Sequence, residues 1–333
     1  MSHAVAAVPS HSWAVGSALL VCAAMAAPPA SAQAWPSKPV RIVVGFAAGG
    51  AVDIVARRLG VKLADALGQL FLVENRVGAG SVIATEHVAR SAPDGYTLLL
   101  SGVTGLAAGA SVFKQLPYDT RRDFAPVILV LQNPAVLLVH PSVPAKTLGE
   151  FIAIARGRPG QLNYASSGAG GGQHLAAEMF ILSTGVVITH VPYKGAAPAL
   201  SDLIGGHVDL MFESIPTSAI SYIQAGKLRA LAVTSTRRSN LLPDVPTMQE
   251  GGLKGFDFRT WMGMAAPAGT PKELVQRLNA SINQALAAPD LRAWLEAQGL
   301  EASGGSPEQF QAFLEKEIAL YARIVKSSKM PLL

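Results

Sequence analysis

The chain has 333 residues, half of them apolar and 15% charged, which is long enough for two compact lobes and too apolar for a disordered polymer. Its formal charge of +5 is small for this length. Arg121-Arg122 and Arg237-Arg238 are isolated pairs, so nothing in the charge pattern resembles the basic stripe of a nucleic-acid binder.

Residues 1–32 contain no Asp, Glu, Lys or Arg. An apolar run over 14–27 is followed by Pro28-Pro29 and by two small-x-small sites ending at Ala32 and Ala34. This reads as a secretory signal peptide cleaved near Ala32 or Ala34, with the mature chain in the periplasm. The run is shorter than the roughly 20 residues that a membrane span needs. Its amino end departs from the usual pattern in lacking Lys and Arg. The single cysteine, Cys22, lies inside this leader behind Val21, where a lipoprotein signal has a small residue. The mature chain therefore has no thiol for a disulfide, a metal or a nucleophile.

After the leader, strand-length apolar runs alternate with helical patterns. Residues 40–46 (VRIVVGF) predict a buried strand, 51–67 a helix, 71–74 a strand, and 96–101 a third strand after the turn Pro93-Asp94-Gly95. This order predicts a parallel sheet with right-handed crossovers. Further strands are expected at 136–140, 162–165, 187–191, 208–212 and 230–234, with helices at 148–156, 196–204 and 216–224 between them. The tail is helical over 271–287, 290–297 and 307–327. Chain crossings between lobes are expected at 126–134 and 251–259. The first lobe is then discontinuous, 33–130 plus 255–333, and the second is 131–254.

Three small-residue turns end predicted strands, where α/β sheets bind ligands. They are Phe46-Ala47-Ala48-Gly49-Gly50, Ser101-Gly102 with Thr104, and Ser166-Ser167-Gly168-Ala169-Gly170-Gly171 followed by His174. Small residues leave main-chain N–H groups uncovered, and a helix N-terminus adds a positive dipole end, so such turns suit anions. Asp53 follows the first turn and is expected to hold the loop's own N–H groups. Phosphate loops fail: Gly45 and Gly50 have the Walker spacing, but Ala51-Val52 replaces Lys-Ser/Thr, and Gln173 stands where Gly168-Ala169-Gly170 needs its third glycine. The histidines beyond the leader, His87, His140, His174, His190 and His207, show no metal-binding spacing, so neither metal nor cofactor is expected. Gly-x-Ser-x-Gly is absent. A periplasmic serine hydrolase acting on a small ester or amide would have to use Ser166 or Ser167 with His174, His190 or His207. The preferred reading makes Ser167 the cap of the next helix and places His174 in its first turn.

Nine stretches in order resemble the Bug-type extracytoplasmic receptors, the substrate-binding components of tripartite tricarboxylate transporters. They are WPSKPVRIVV (35–44), Gly49-Gly50 with Asp53 and Ala56-Arg57, VENR with GAG (73–80), PDGYTL (93–98), LPYD (116–119), HVPYKG (190–195), GKLRALAV (226–233), LPDVPT (242–247) and APAGTP (266–271). The resemblance implies a type II periplasmic-binding-protein fold: two α/β lobes, two crossings and a ligand cleft. It implies a small carboxylate as ligand (di- or tricarboxylate, acidic amino acid or aromatic acid), held by loop N–H groups and water without catalysis. It also implies a monomer that serves membrane transporter subunits or reports to a membrane sensor. Phe46, Ala47, Ala48, Gly49, Gly50, Asp53, Ser101, Gly102, Thr104, Ser166, Ser167, Gly168, Gly170, Gly171 and His174 are the expected ligand-binding set. The family's first loop usually reads Pro-Pro-Gly-Gly, where this chain has Ala47-Ala48-Gly49-Gly50. Its second-lobe loop usually has a serine where Gly171 or Gly172 stands.

Overall fold

A computed structural model describes residues 1–7, 35–214, 216–328 and 330–333. The signal-peptide reading, with Cys22 and the cleavage sites at Ala32 and Ala34, lies outside the described residues. Residues 1–37 form a unit of their own, in which 1–7 have no regular structure; residues 38–333 form the second unit and hold two sheets. Among the described residues no helix is long and apolar enough to cross a membrane.

The first sheet contains β1 (Val40–Val44), β2 (Phe71–Asn75), β3 (Thr97–Gly102), β4 (Phe124–Pro134), β10 (Arg259–Pro267) and β11 (Glu301–Ala302), in the order β11-β4-β10-β3-β1-β2. The second contains β5 (Val136–Val139), β6 (Asn163–Ser166), β7 (Thr189–Pro192), β8 (Leu210–Glu213) and β9 (Arg229–Val233), in the order β7-β6-β8-β5-β9. β1 is buried at Val40, Ile42, Val43 and Val44, as a β-branched strand covered on both faces must be. It pairs in parallel with β2 and β3, and the helices Ala51–Leu67 and Val82–Ala89 make the crossovers. Parallel pairing holds here and in the second sheet for β6 with β7 and β8, but not throughout. β10 is antiparallel to both β3 and β4, and β5 is antiparallel to β8 and β9. Strands that arrive directly from the other lobe need no helical crossover, so they can enter from the opposite end.

The stretch expected as the first crossing, 126–134, is part of strand β4. Pro126 is tolerated there because the register with β10 slips between Met264 and Ala265. Only Ala135 separates β4 from β5, so the first sheet extends to Pro134, past the expected boundary at 130. The return path runs from β9 to β10. Thr234, wholly buried, joins the two paths: its hydroxyl accepts from Ala135 N–H (2.8 Å) and donates to Phe258 C=O (2.6 Å), and its own N–H reaches Ala135 C=O (2.9 Å). The C-terminal helix Pro307–Ser328 buries Phe310, Leu314, Ile318, Tyr321, Ile324 and Val325 at three- and four-residue spacing. Those side chains share one apolar core with Val43 and Leu99 of the first sheet's lobe and with Phe151, Phe180 and Phe212 of the second.

Thr234→Val keeps the side chain's shape but leaves the Ala135 N–H and Phe258 C=O without their partner in a dry joint. The expected cost is about 1–3 kcal/mol, seen as a lower urea midpoint at unchanged slope. An unchanged midpoint would show that the hydroxyl does not hold the crossings together.

Candidate ligand-binding site

The loop after β1 is built around one backbone turn. Gly50 N–H bonds Ala47 C=O (3.2 Å), and Gly49, the third residue of the turn, has φ +80°. A β-branched or bulky residue is strained at that φ, so glycine is required. Gly50, extended at φ −76° and ψ 165°, then caps the helix Ala51–Leu67 with no side-chain partner. The helical ladder begins with Ile54 N–H to Gly50 C=O, so the amides of Ala51, Val52 and Asp53 have no intrahelical acceptor. Asp53, 2% exposed, accepts the Gly49 N–H (2.9 Å), both Arg57 Nε–H and Nη2–H (2.9 Å each) and an Asn75 amide hydrogen (2.9 Å). Asn75 also holds the Phe46 carbonyl (2.9 Å). The Arg57 guanidinium, with the Gly49 and Asn75 amides, keeps the Asp53 carboxyl down at about 2 despite its burial. Asp53 is thus a strut inside the loop, its carboxylate turned to Gly49, Arg57 and Asn75. Among the described residues the amides of Ala47 and Ala48, both exposed, have no acceptor.

The loop after β6 repeats this architecture. Gly171 N–H bonds Gly168 C=O (3.3 Å), Gly170 has φ +73°, and Gly171 (φ −77°, ψ 167°) caps the helix Gly172–Thr184. The residue four beyond the positive-φ glycine is again the strut: Gly170 N–H bonds His174 Nδ1 (2.9 Å). Gly168 N–H bonds Ser166 Oγ (3.2 Å) and Ser167 N–H bonds Gln173 Oε1 (2.7 Å). Ser167 is therefore not the helix cap; Gly171 is. The amides of Ala169 and of the first helical residues, Gly172 to His174, remain without a main-chain acceptor, because the ladder starts with Leu175 N–H to Gly171 C=O. The Ala47–Gly50 and Gly168–Gly171 turns share the closing bond, the positive-φ third residue and the extended cap, and differ at the first residue, where Gly168 has φ +143°.

Thr104 connects the two lobes here, donating its hydroxyl to Gly170 C=O (3.1 Å). A methyl on Gly172 would lie 2.7 Å from Thr260 Cγ2, and one on Gly170 would lie 2.4 Å from Val112 Cγ1, so a larger side chain at either would wedge the lobes apart. Ser101 lies inside the lobe. It is fully buried, with its hydroxyl 3.0 Å from that of Ser81. Gly102 has a packing role: a Cβ there would meet Trp261 C=O at 2.3 Å across the sheet. A segment outside the expected set, Gly78 to Ser81, forms a left-handed turn with φ of 146°, 45°, 61° and 83°. Ala79 and Ser81 are strained there, at a typical cost of about 1–3 kcal/mol each. A methyl on Gly45 would lie 2.2 Å from Ser81 Oγ, and one on Gly80 would lie 3.1 Å from Thr104 Cγ2, so the turn is wedged between the first loop and Thr104. Its glycine-rich sequence marks a turn, but Ala79 and Ser81 give no sign of left-handed backbone.

Ser166 Oγ does meet His190 Nε2, at 2.6 Å. Ser166 is wholly buried, and among the described residues no carboxylate is hydrogen-bonded to His190. Burial, then the neighbouring His174, lowers the His190 pKa to about 4, which makes it a weak base. Among the described residues no group of side chains is arranged to hold a metal ion. A recess of about 550 Å³ lies at the opposite, amino end of β1 and β3. Its arginines are paired already, Arg41 with Glu74 (3.7 Å) and Arg90 with Glu86 (2.7 Å).

Residues 55–330 match the family model described as the tripartite tricarboxylate transporter family receptor. Protein BugT of Bordetella pertussis is 39% identical over 311 residues, 93% of this chain and 95% of its own. The solved structure of R. palustris Rpa4515 with adipate is 37% identical with a TM-score of 0.82, covering 90% of this chain and all of that one. MatC from Rhodopseudomonas palustris with bound malate is 35% identical with a TM-score of 0.78, covering 87% of this chain and all of that one. With matched loops in both lobes and a family match across most of its length, the chain belongs to the tripartite tricarboxylate transporter receptors, the family of the Bug proteins.

Proposed function

We propose that the protein is a periplasmic receptor that captures a small carboxylate between its lobes and releases it unchanged to transporter membrane subunits or a membrane sensor. The observation that carries this reading is the pair of equivalent glycine turns, one per lobe, each leaving uncovered amides beside a helix N-terminus. A carboxylate gains about 0.3–1 kcal/mol from each helix end, more when partly buried. Hydrogen bonds from amides to an ionised oxygen add about 1.5–3 kcal/mol each. Adipate and malate, the ligands of two similar proteins, are both small dicarboxylates. The amides of Ala47, Ala48 and Ala169 and those of the two helix starts are the contacts this reading assigns. Two lobes joined by two chain paths suit closure on a ligand without turnover.

A thermal-shift panel of mono-, di- and tricarboxylates tests the reading. A true ligand at 100 times its dissociation constant adds about 2.7 kcal/mol of stability, and no response from any acid in the panel would refute carboxylate capture. Ser166→Ala should weaken binding by about 1–3 kcal/mol at most, with the acid recovered intact. Consumption of an ester or amide that stops in this variant would instead establish a hydrolase.

Asp53→Ala removes the acceptor of Gly49 N–H and the partner of Arg57. We expect a stability loss of about 1–3 kcal/mol near neutral pH. Because the folded-state pKa is depressed from 3.8 to about 2, the wild-type advantage is full above pH 4 and disappears as pH falls from there toward 2. Denaturant midpoints for both proteins across that range measure it, and a constant difference would contradict it.

A further inference from the structure

The two loops share a backbone but differ in the chemistry of the strut. In the first lobe the Gly49 N–H rests on a carboxylate that stays ionised down to about pH 2. In the second lobe the Gly170 N–H rests on an imidazole nitrogen. To accept that bond, His174 Nδ1 must carry no proton, so the neutral ring holds its proton on Nε2, where Glu178 Oε1 lies 3.5 Å away. His174 is 5% exposed. His190 from β7 stacks on it at 3.8 Å between ring centroids, and Tyr164 from β6 lies beyond at 6.1 Å. Tyr164 donates its hydroxyl to Glu178 (2.6 Å). Burial opposes ionisation of Glu178, but the bonds from His174 and Tyr164 outweigh it and keep its pKa below the ordinary value. A second proton on His174 would retain the Glu178 contact but turn Nδ1–H against Gly170 N–H, donor against donor, with no room for the ring to leave.

We propose that His174 is the positioning residue of the second-lobe loop, and that its protonation releases the Gly168–Gly171 turn, making the second lobe's hold on an anion acid-labile while the first lobe's hold persists. The last part rests on the receptor reading above. His190, the other imidazole of the stack, is held neutral down to about pH 4.

Amide hydrogen exchange of the whole chain tests this without a ligand. After correction for intrinsic rates, Gly170 protection should fall about tenfold from pH 8 to pH 5, the worth of one hydrogen bond to a side chain. Gly49 is the internal control and should not change. His174→Asn offers Gly170 an oxygen from the position Asp53 occupies in the other loop, and protection should then be independent of pH. His174→Ala should lose it at every pH. Gly170 protection that survives at pH 5 in the natural chain, or pH dependence that persists in His174→Asn, overturns the assignment. The affinity for adipate and malate, measured at pH 8 and 5, separates the two claims. If Gly170 behaves as expected but neither acid binds at pH 8, the strut stands and the receptor reading fails for these acids. Binding at pH 8 that weakens at pH 5 in the natural chain but not in His174→Asn supports both.

Discussion

A site that grips an anion through main-chain N–H groups depends on its loop being rigid before the ligand arrives. Ordering one residue costs about 1–2 kcal/mol, about what one amide returns in a hydrogen bond to a charged oxygen. A floppy five-residue loop would therefore bind nothing. In both lobes the same device removes that cost: a glycine held at positive φ whose N–H is fixed by the side chain four residues on. The strut uses one amide in order to aim its neighbours. The uncovered amides, the helix start and the close approach of the lobes at Thr104 all depend on it.

The choice of strut follows from the surroundings. In the first lobe a carboxylate is acceptable because Arg57 neutralises it and Asn75 ties it to the Phe46 carbonyl, so it is held away from the anion the loop would receive. In the second lobe Glu178 already stands in the same helix, one turn further on. A carboxylate at position 174 would face it as a buried like charge, which is strongly disfavoured. A neutral imidazole accepts the Gly170 N–H on one side and turns its Nε2–H toward Glu178 Oε1, 3.5 Å away, on the other. The aromatic stack of Tyr164 and His190 fixes its plane.

Much of this was readable before any coordinates. The continuous β-branched run of β1, the Pro and Gly punctuation and the small residues at strand ends mark the strands of both sheets and the turns that follow β1 and β6. What failed depends on contacts between segments far apart in sequence. Pro126 and Pro134 argue against a strand, yet β4 accommodates Pro126 at a register slip that only its partner β10 creates. Ser101 reads as a loop residue in the sequence, and its burial appears only when Ser81 and Gly105 close over it. Thr234 is an ordinary threonine in the sequence, and its role at the joint appears only when Ala135 and Phe258 arrive from both sides. Ser166 and His190 meet because β6 and β7 are neighbours, and their spacing of 24 residues carries no hint of it.

The absence of proline from both turns gives the struts added weight. In a turn of this kind the second residue favours proline, whose fixed φ removes freedom from the open chain. The resemblance leads one to expect Pro-Pro before the first glycine pair, but Ala48 and Ala169 occupy the equivalent places in the two loops. Each alanine leaves about 0.4–1 kcal/mol of open-loop freedom that proline would have removed. In the first loop that deficit is met by an ionised, three-partner strut that no ordinary pH change can undo. In the second the strut is a single bond to an imidazole, and the loop is braced besides by Ser166 on Gly168, Gln173 on Ser167 and Thr104 on Gly170. The two loops thus hold the same turn, with the same proline missing, through different sets of side chains.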